Sequence, residues 1–197
     1  MEAKQLNIGG KTMTTQLSKT DERLQAIQFL AKSMLPKDGR FHVGHIRVEA
    51  DGSAVSTDGA RLHFVKDINL EAGYYKVHKC TKSGALIDKV FELDTIERSF
   101  PEYADILTIP NVVGFDALLG TSDNIPSRVF TEVVRAMAKS TVNFNFINDL
   151  CNVINDVVSV IVPEPGTSYN DGEPETVKPI HFVKNGYHAV LMPVRLK

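Results

Sequence analysis

Three pairs in which an acid or amide precedes glycine constrain this chain most: Asp51-Gly52, Asp58-Gly59 and Asn185-Gly186. Each stands between short apolar runs, and such pairs close tight hairpins because both turn positions are expected at positive φ. Two of them divide a meander of three strands, His45 to Ala50, Ser53 to Thr57 and Arg61 to Val65. The third splits the final stretch, KPIHFVKNGYHAVLMPVRLK, into two strands within Ile180–Val194. Pro193 has no N–H for a central ladder, so Met192 to Leu196 is expected to peel away from the sheet. Pairing through such turns is antiparallel.

Helical signals fall at two places. After a strand at Thr12–Leu17, residues 19–34 read as a helix, with Ser18 or Thr20 as cap and Asp21 and Glu22 in the first turn. Leu24, Ile27, Leu30, Ala31 and Met34 recur at three- and four-residue spacings and form its apolar stripe, and Pro36 and Gly39 end it. After a strand at Phe115–Leu119, Pro126-Ser127 opens a second helix, residues 127–139, whose stripe is Val129, Phe130, Val133, Val134 and Met137. Further strands are expected at Tyr74–His78, Val90–Leu93 (after a break at Lys82-Ser83-Gly84), Val142–Ile147 and Val157–Val162. Residues 163–179, rich in Pro, Gly and acids, read as a mobile loop. The order strand–helix–strands thus occurs twice. It predicts an α+β fold of two such repeats, with two inner helices packed on antiparallel sheet.

At 197 residues with 43% apolar and 23% charged residues, the chain is long enough for a sizeable core. A net charge of −2 argues against wholesale coating of nucleic acid and leaves a local basic face open. No apolar run approaches the roughly 20 residues that span a bilayer, so no membrane partner is expected. Residues 1–11 carry no signal-peptide core and read as a disordered tail, which points to a cytoplasmic protein. Cys80 and Cys151 lack metal-like spacing and are expected as reduced thiols.

Three strings carry a family resemblance. Leu191-Met192-Pro193-Val194-Arg195-Leu196 resembles the C-terminus of the bacterial DNA polymerase III beta sliding clamp, and Thr57-Asp58-Gly59-Ala60-Arg61-Leu62 resembles a Thr-Asp-Gly-His-Arg-Leu segment of its middle domain. Ser99-Phe100-Pro101-Glu102-Tyr103, followed by Ile106-Leu107 and Pro110, resembles the segment that closes that middle domain; here prolines hold an extended linker, and Phe100 and Tyr103 can anchor it. Ala60 departs from the family's histidine. The resemblance covers roughly residues 12–110 and 125–197. It implies one compact clamp-like domain over 12–197, with 12–110 similar to the middle clamp domain and 111–197 to the last, such as a phage or other mobile element could carry. It also implies a pocket for partner peptides, formed by Thr57, Gly59, Ala60, Arg61, Leu62, Met192, Pro193, Val194, Arg195 and Leu196. The partners it implies are double-stranded DNA, DNA polymerase or other proteins with a clamp-binding motif, and further copies of the chain, since clamp rings close with six domains.

Catalytic constellations are not evident, and neither an enzyme nor a cofactor is expected. His42, His45, His63, His78, His181 and His188 lack zinc-like spacing, Gly9-Gly10-Lys11 precedes no phosphate loop, and 148–156 lacks the ligand order of a calcium loop. Arg128, Glu132, Arg135 and Lys139 share the polar face of the second helix, so three cations there can follow phosphates without reading bases. Lys19 and Arg23 share a face of the first helix, while Lys32 aligns with Gln25 and Gln28. Against the processivity clamp stand a clamp-derived module that forms no ring, an interaction protein without nucleic acid, and an unrecognised enzyme.

Overall fold

The computed structural model describes residues 4–6, 12–34, 44–90, 100–108, 114–119, 132–133, 142–154, 156–162 and 179–192. The chain divides into two compact units, Met1–Glu102 and Tyr103–Lys197.

The first unit is an antiparallel sheet with one helix. Its strands are β1 (Lys4–Leu6), β2 (Thr12–Ser18), β3 (Ile46–Val48), β4 (Ala54–Thr57), β5 (Arg61–Val65), β6 (Gly73–Thr81) and β7 (Gly84–Val90), in the order β1-β2-β7-β6-β3-β4-β5. Strand β1 corrects the expected tail: Lys4–Leu6 pairs with Gln16–Thr14. A three-residue strand is too short to carry a period that would reveal it in the sequence. Strand β7 starts six residues before Val90, because Lys82-Ser83 is the turn of the β6–β7 hairpin rather than a break. Its buried positions are Ala85, Ile87 and Lys89, and the lysine disguises the alternation. The Lys89 stem is buried while its ammonium reaches the exposed Glu71 carboxylate at 2.9 Å.

Helix α1 (Leu24–Ala31) packs against β4–β7 through a core of Leu24, Ala26, Ile27, Phe29 and Leu30. It is shorter than expected and begins differently. Ser18 and Thr20 bond each other, Arg23 is the N-cap residue without a side-chain cap, and Asp21 and Glu22 precede the helix. A tight turn takes these residues instead: Leu24 N–H donates to the Asp21 carbonyl, and the Asp21 carboxylate accepts from the Arg23 N–H. Phe29 was missed from the stripe, whereas Ala31 and Met34 are only half-buried.

The second unit has β8 (Gly114–Leu119), β9 (Asp156–Ile161), β10 (Ile180–Lys184) and β11 (Tyr187–Leu191), all antiparallel in the order β11-β10-β9-β8. A short helix α2 (Ala104–Leu107) packs on β11. The strand expected at Val142–Ile147 is instead the start of helix α3 (Phe144–Val153). Val142-Asn143-Phe144-Asn145-Phe146 alternates like a strand, but the Asn143 side chain accepts from the Asn145 N–H at 2.9 Å and caps a helix. Ile147, Leu150 and Cys151 then form its buried side at spacings of three and four. Of the expected helix at 127–139, Glu132 and Val133 are helical and the remainder lies outside the described residues. Val133, placed in its apolar stripe, is exposed.

In all three hairpin turns only the glycine has positive φ: +83° at Gly52, +86° at Gly59 and +81° at Gly186. At Gly52 the turn closes with Gly52 N–H to the Glu49 carbonyl and Glu49 N–H to the Ser53 carbonyl. That is a one-glycine turn with a bulge, a common alternative to the two-residue turn in which both positions are left-handed.

Candidate functional site

The turn between β4 and β5 is built from its own side chains. The Asp58 carboxylate accepts from the N–H groups of Ala60 and Arg61 at 3.0 and 2.9 Å, so it closes the loop as an aspartate turn. The Thr57 hydroxyl donates to the Arg61 carbonyl at 2.7 Å and accepts from the Gly59 N–H at 3.1 Å. Arg61 Nε sits 2.9 Å from Asp58 Oδ2, with the two side chains only 11% and 10% exposed. Pairing at that burial is required, since an unpaired charge there would lose its hydration without replacement. Arg61, a residue of the implied peptide pocket, has its Nε committed to Asp58. Leu62, the next residue, is buried in the core of the first unit, and Ala60 is half-buried at the tip.

Met192, the first residue after β11, is 40% exposed. Pro193, Val194, Arg195 and Leu196 lie outside the described residues, as do Arg128, Arg135 and Lys139. On the first helix the expected phosphate face is altered. Arg23 forms a two-point ion pair with Asp21 at 2.9 and 2.8 Å, which holds the Asp21 carboxyl below its usual range. Lys19 is exposed, Lys32 is half-buried, and Gln28 donates to the Thr81 carbonyl.

Two buried histidine sites went unassigned in the sequence. His63 stacks on Phe29 at 4.3 Å between ring centroids, and its Nδ1 lies 2.6 Å from the Phe29 carbonyl near the C-terminal end of α1. Beside it, Ser56 donates to the Leu30 carbonyl and shares a 2.6 Å hydroxyl contact with Ser33. Together they add side-chain donors at the helix end to the Phe29 and Leu30 carbonyls, which also accept from the Lys32 and Ser33 N–H groups. In the second unit His181 Nδ1 lies 2.9 Å from His188 Nε2, with both rings buried. The hairpin register could have found that pair. With Lys184 opposite Tyr187, His181 faces Val190 and lies diagonally from His188 on the same side of the sheet. Among the described residues, no group of three or more His, Cys, Asp or Glu could hold a metal ion. No helix among them is long and apolar enough to cross a membrane.

Solved structures identify the class to which this architecture belongs: the fold is that of a DNA sliding clamp. The chain superposes on Caulobacter crescentus pol III beta with a TM-score of 0.56 at 13% identity, covering 97% of this chain and 68% of that one. The DNA polymerase III subunit beta of Pseudomonas aeruginosa gives 0.52 at 12% identity, with 98% and 69% covered. The beta chain of Streptococcus pneumoniae DNA polymerase III gives 0.54 at 10%, with 98% and 67% covered. No protein-family model matches the sequence, and no curated protein does.

Proposed function

We propose that this chain is a sliding-clamp-like processivity factor: a non-enzymatic cytoplasmic scaffold that follows double-stranded DNA and recruits a polymerase. The likeness to sliding clamps over 97% of the chain carries this reading, and the three family-like strings support it. Partner proteins dock a clamp-binding peptide through the family-like strings, Thr57, Gly59, Ala60, Arg61 and Leu62 and, separately, Met192-Pro193-Val194-Arg195-Leu196. In that role the self-bonded 57–61 turn is a preformed surface, which reduces the ordering cost of binding. Met192 supplies a flexible, exposed thioether that adapts to different side chains. Arg128, Arg135 and Lys139 contact phosphates, with Lys19 and Lys32 assisting while Arg23 stays paired with Asp21, and copies of the chain assemble around the duplex.

Three measurements test the proposal. Solution mass should rise above that of the 21.8 kDa monomer, and rise or stabilise further with DNA. Replacing Arg128, Arg135 and Lys139 by Ala should weaken DNA binding irrespective of sequence and flatten its salt dependence. A peptide carrying a clamp-binding motif should bind in the micromolar range, about −8 kcal/mol, and lose that binding when Met192–Lys197 is removed. An unchanged salt slope refutes the DNA face, and equal peptide binding by the trimmed chain refutes docking on the terminal run.

A second reading is a clamp-derived module that binds partners without closing a ring. The chain spans only about two thirds of the length of the clamps it resembles. A monomeric mass at micromolar concentration with peptide binding retained selects it.

A further inference from the structure

The His181–His188 contact ties together the last hairpin of the second unit. Across β10 and β11, His181, Val183, His188 and Val190 project to one side, and Ile180, Phe182, Ala189 and Leu191 to the other. His181 is fully buried, His188 is 9% exposed, and the ring centroids are 5.1 Å apart at 39°. A single hydrogen bond joins His181 Nδ1 and His188 Nε2. The far nitrogen of His181, Nε2, is buried with no partner. That orphan decides which ring donates. If His188 donated, neutral His181 would carry its proton on Nε2 and bury an N–H without an acceptor. An under-satisfied lone pair is the lesser cost, so His181 Nδ1–H donates to His188 Nε2.

An additional proton has no good place in this arrangement. On His181 it must sit on Nε2, as a buried N–H of an imidazolium with nothing to accept it. On His188 it must sit on Nε2, where it points at the Nδ1–H of His181 across 2.9 Å.

We propose that the His181–His188 pair is an acid-sensitive clasp, which holds β10 to β11 while both rings are neutral and releases that hairpin when either ring is protonated. Among the described residues, no carboxylate is placed to compensate the charge. On β9 and β10, Asp156 is paired with Lys184; on β8, Asp116 accepts from the Ser159 hydroxyl; Asp105 belongs to α2, which packs on β11. The phenol of Tyr187, at the turn, is pushed up by burial and stays protonated. Burial lowers the pKa of both rings, and His181 beside it lowers His188 further, to about 4. Because the folded values lie below the unfolded one, the clasp is intact above about pH 6.5 and weakens as pH falls from there towards 4.

Residue-resolved hydrogen exchange of the full chain at pH 7, 5.5 and 4, corrected for intrinsic exchange chemistry, tests this. The β10–β11 amides should show an opening equilibrium about a hundredfold larger at pH 4 than at pH 7, while those of β6–β7 change little. His188→Gln, whose side-chain oxygen can still accept from His181, should flatten the profile, and His78→Gln in the first unit should not. Equal profiles in wild type and His188→Gln, or hairpin protection unchanged at pH 4, overturn the proposal. If His188→Gln does not fold, imidazole nitrogen NMR of the wild type decides. Rings that charge only as the hairpin opens support the clasp; rings that titrate near pH 6.5 with the hairpin still protected overturn it. A shift of both ring signals by one equivalent of Zn²⁺ at pH 7 would make the pair a metal site and would also overturn it.

Discussion

In the first unit the β4–β5 hairpin is tied by charge, through Asp58 and Arg61; in the second, β10–β11 is tied by two neutral imidazoles. The units also differ at their surfaces. Ile106, Val133, Val157 and Met192, the exposed large apolar residues among those described, all belong to the second unit. In the first unit Asp21 pairs with Arg23, Asp58 with Arg61 and Lys89 with Glu71, and Arg47 lies over the Phe100 ring at 5.8 Å; in the second, Asp156 pairs with Lys184. Similar antiparallel sheets are therefore finished differently: among the described residues, large apolar side chains reach the surface only in the second unit.

The sharpest break of this contrast is in the first core. Phe29→Ala removes a fully buried ring and the stack on His63, and should cost about 3–5 kcal/mol in denaturant unfolding. A loss below 1 kcal/mol would mean that the first unit is loosely packed. Next, Asp58→Ala strips Arg61 of its partner and two backbone N–H groups of their acceptor, for an expected loss of about 2–3 kcal/mol. The same substitution should also weaken peptide capture if the preformed turn contacts the peptide.

Acid separates the units in kind. Between pH 6.5 and 4 the second unit should lose stability as its histidines charge. Asp21, held low by its Arg23 hydrogen bonds, keeps its contribution until pH falls below the ordinary carboxylate value of 3.8. Probes placed in each unit should melt together at pH 7 and apart at pH 4.5. Asn143→Ala, which removes the α3 cap, should cost about 1 kcal/mol, detected in the second unit first. The smallest effect is expected for Met192→Ser, within about 0.5 kcal/mol of wild type in stability. Any larger loss would show that Met192 packs, and would remove it as a free contact for a partner.

Much of the architecture was legible because it rests on local rules. The Asp-Gly and Asn-Gly pairs placed three hairpins, and the register of the last one follows from its two-residue turn. The first helix and the strands at Thr12, Gly114 and Asp156 followed from periodicity within a few residues. The strings at 57–62 and 191–196 gave the clamp resemblance before any fold was known.

Tertiary structure decided the rest, wherever a residue's role depends on a partner distant in sequence or on a competition between local signals. Val142–Phe146 alternates like a strand, yet the Asn143 cap and the buried side of Ile147, Leu150 and Cys151 make it a helix. Lys89 reads as a surface residue until Glu71 and the space beside Gly73 give its stem a buried path. Lys4–Leu6 has no pattern of its own and becomes a strand only because β2 offers an open edge. His63 meets Phe29 across 34 positions, and Gln28 meets Thr81 across 53. Composition and period fix which stretches extend, coil and turn, because those preferences act between near neighbours. Which polar groups become buried, and what then satisfies them, depends on burial, and burial exists only once the chain has closed on itself.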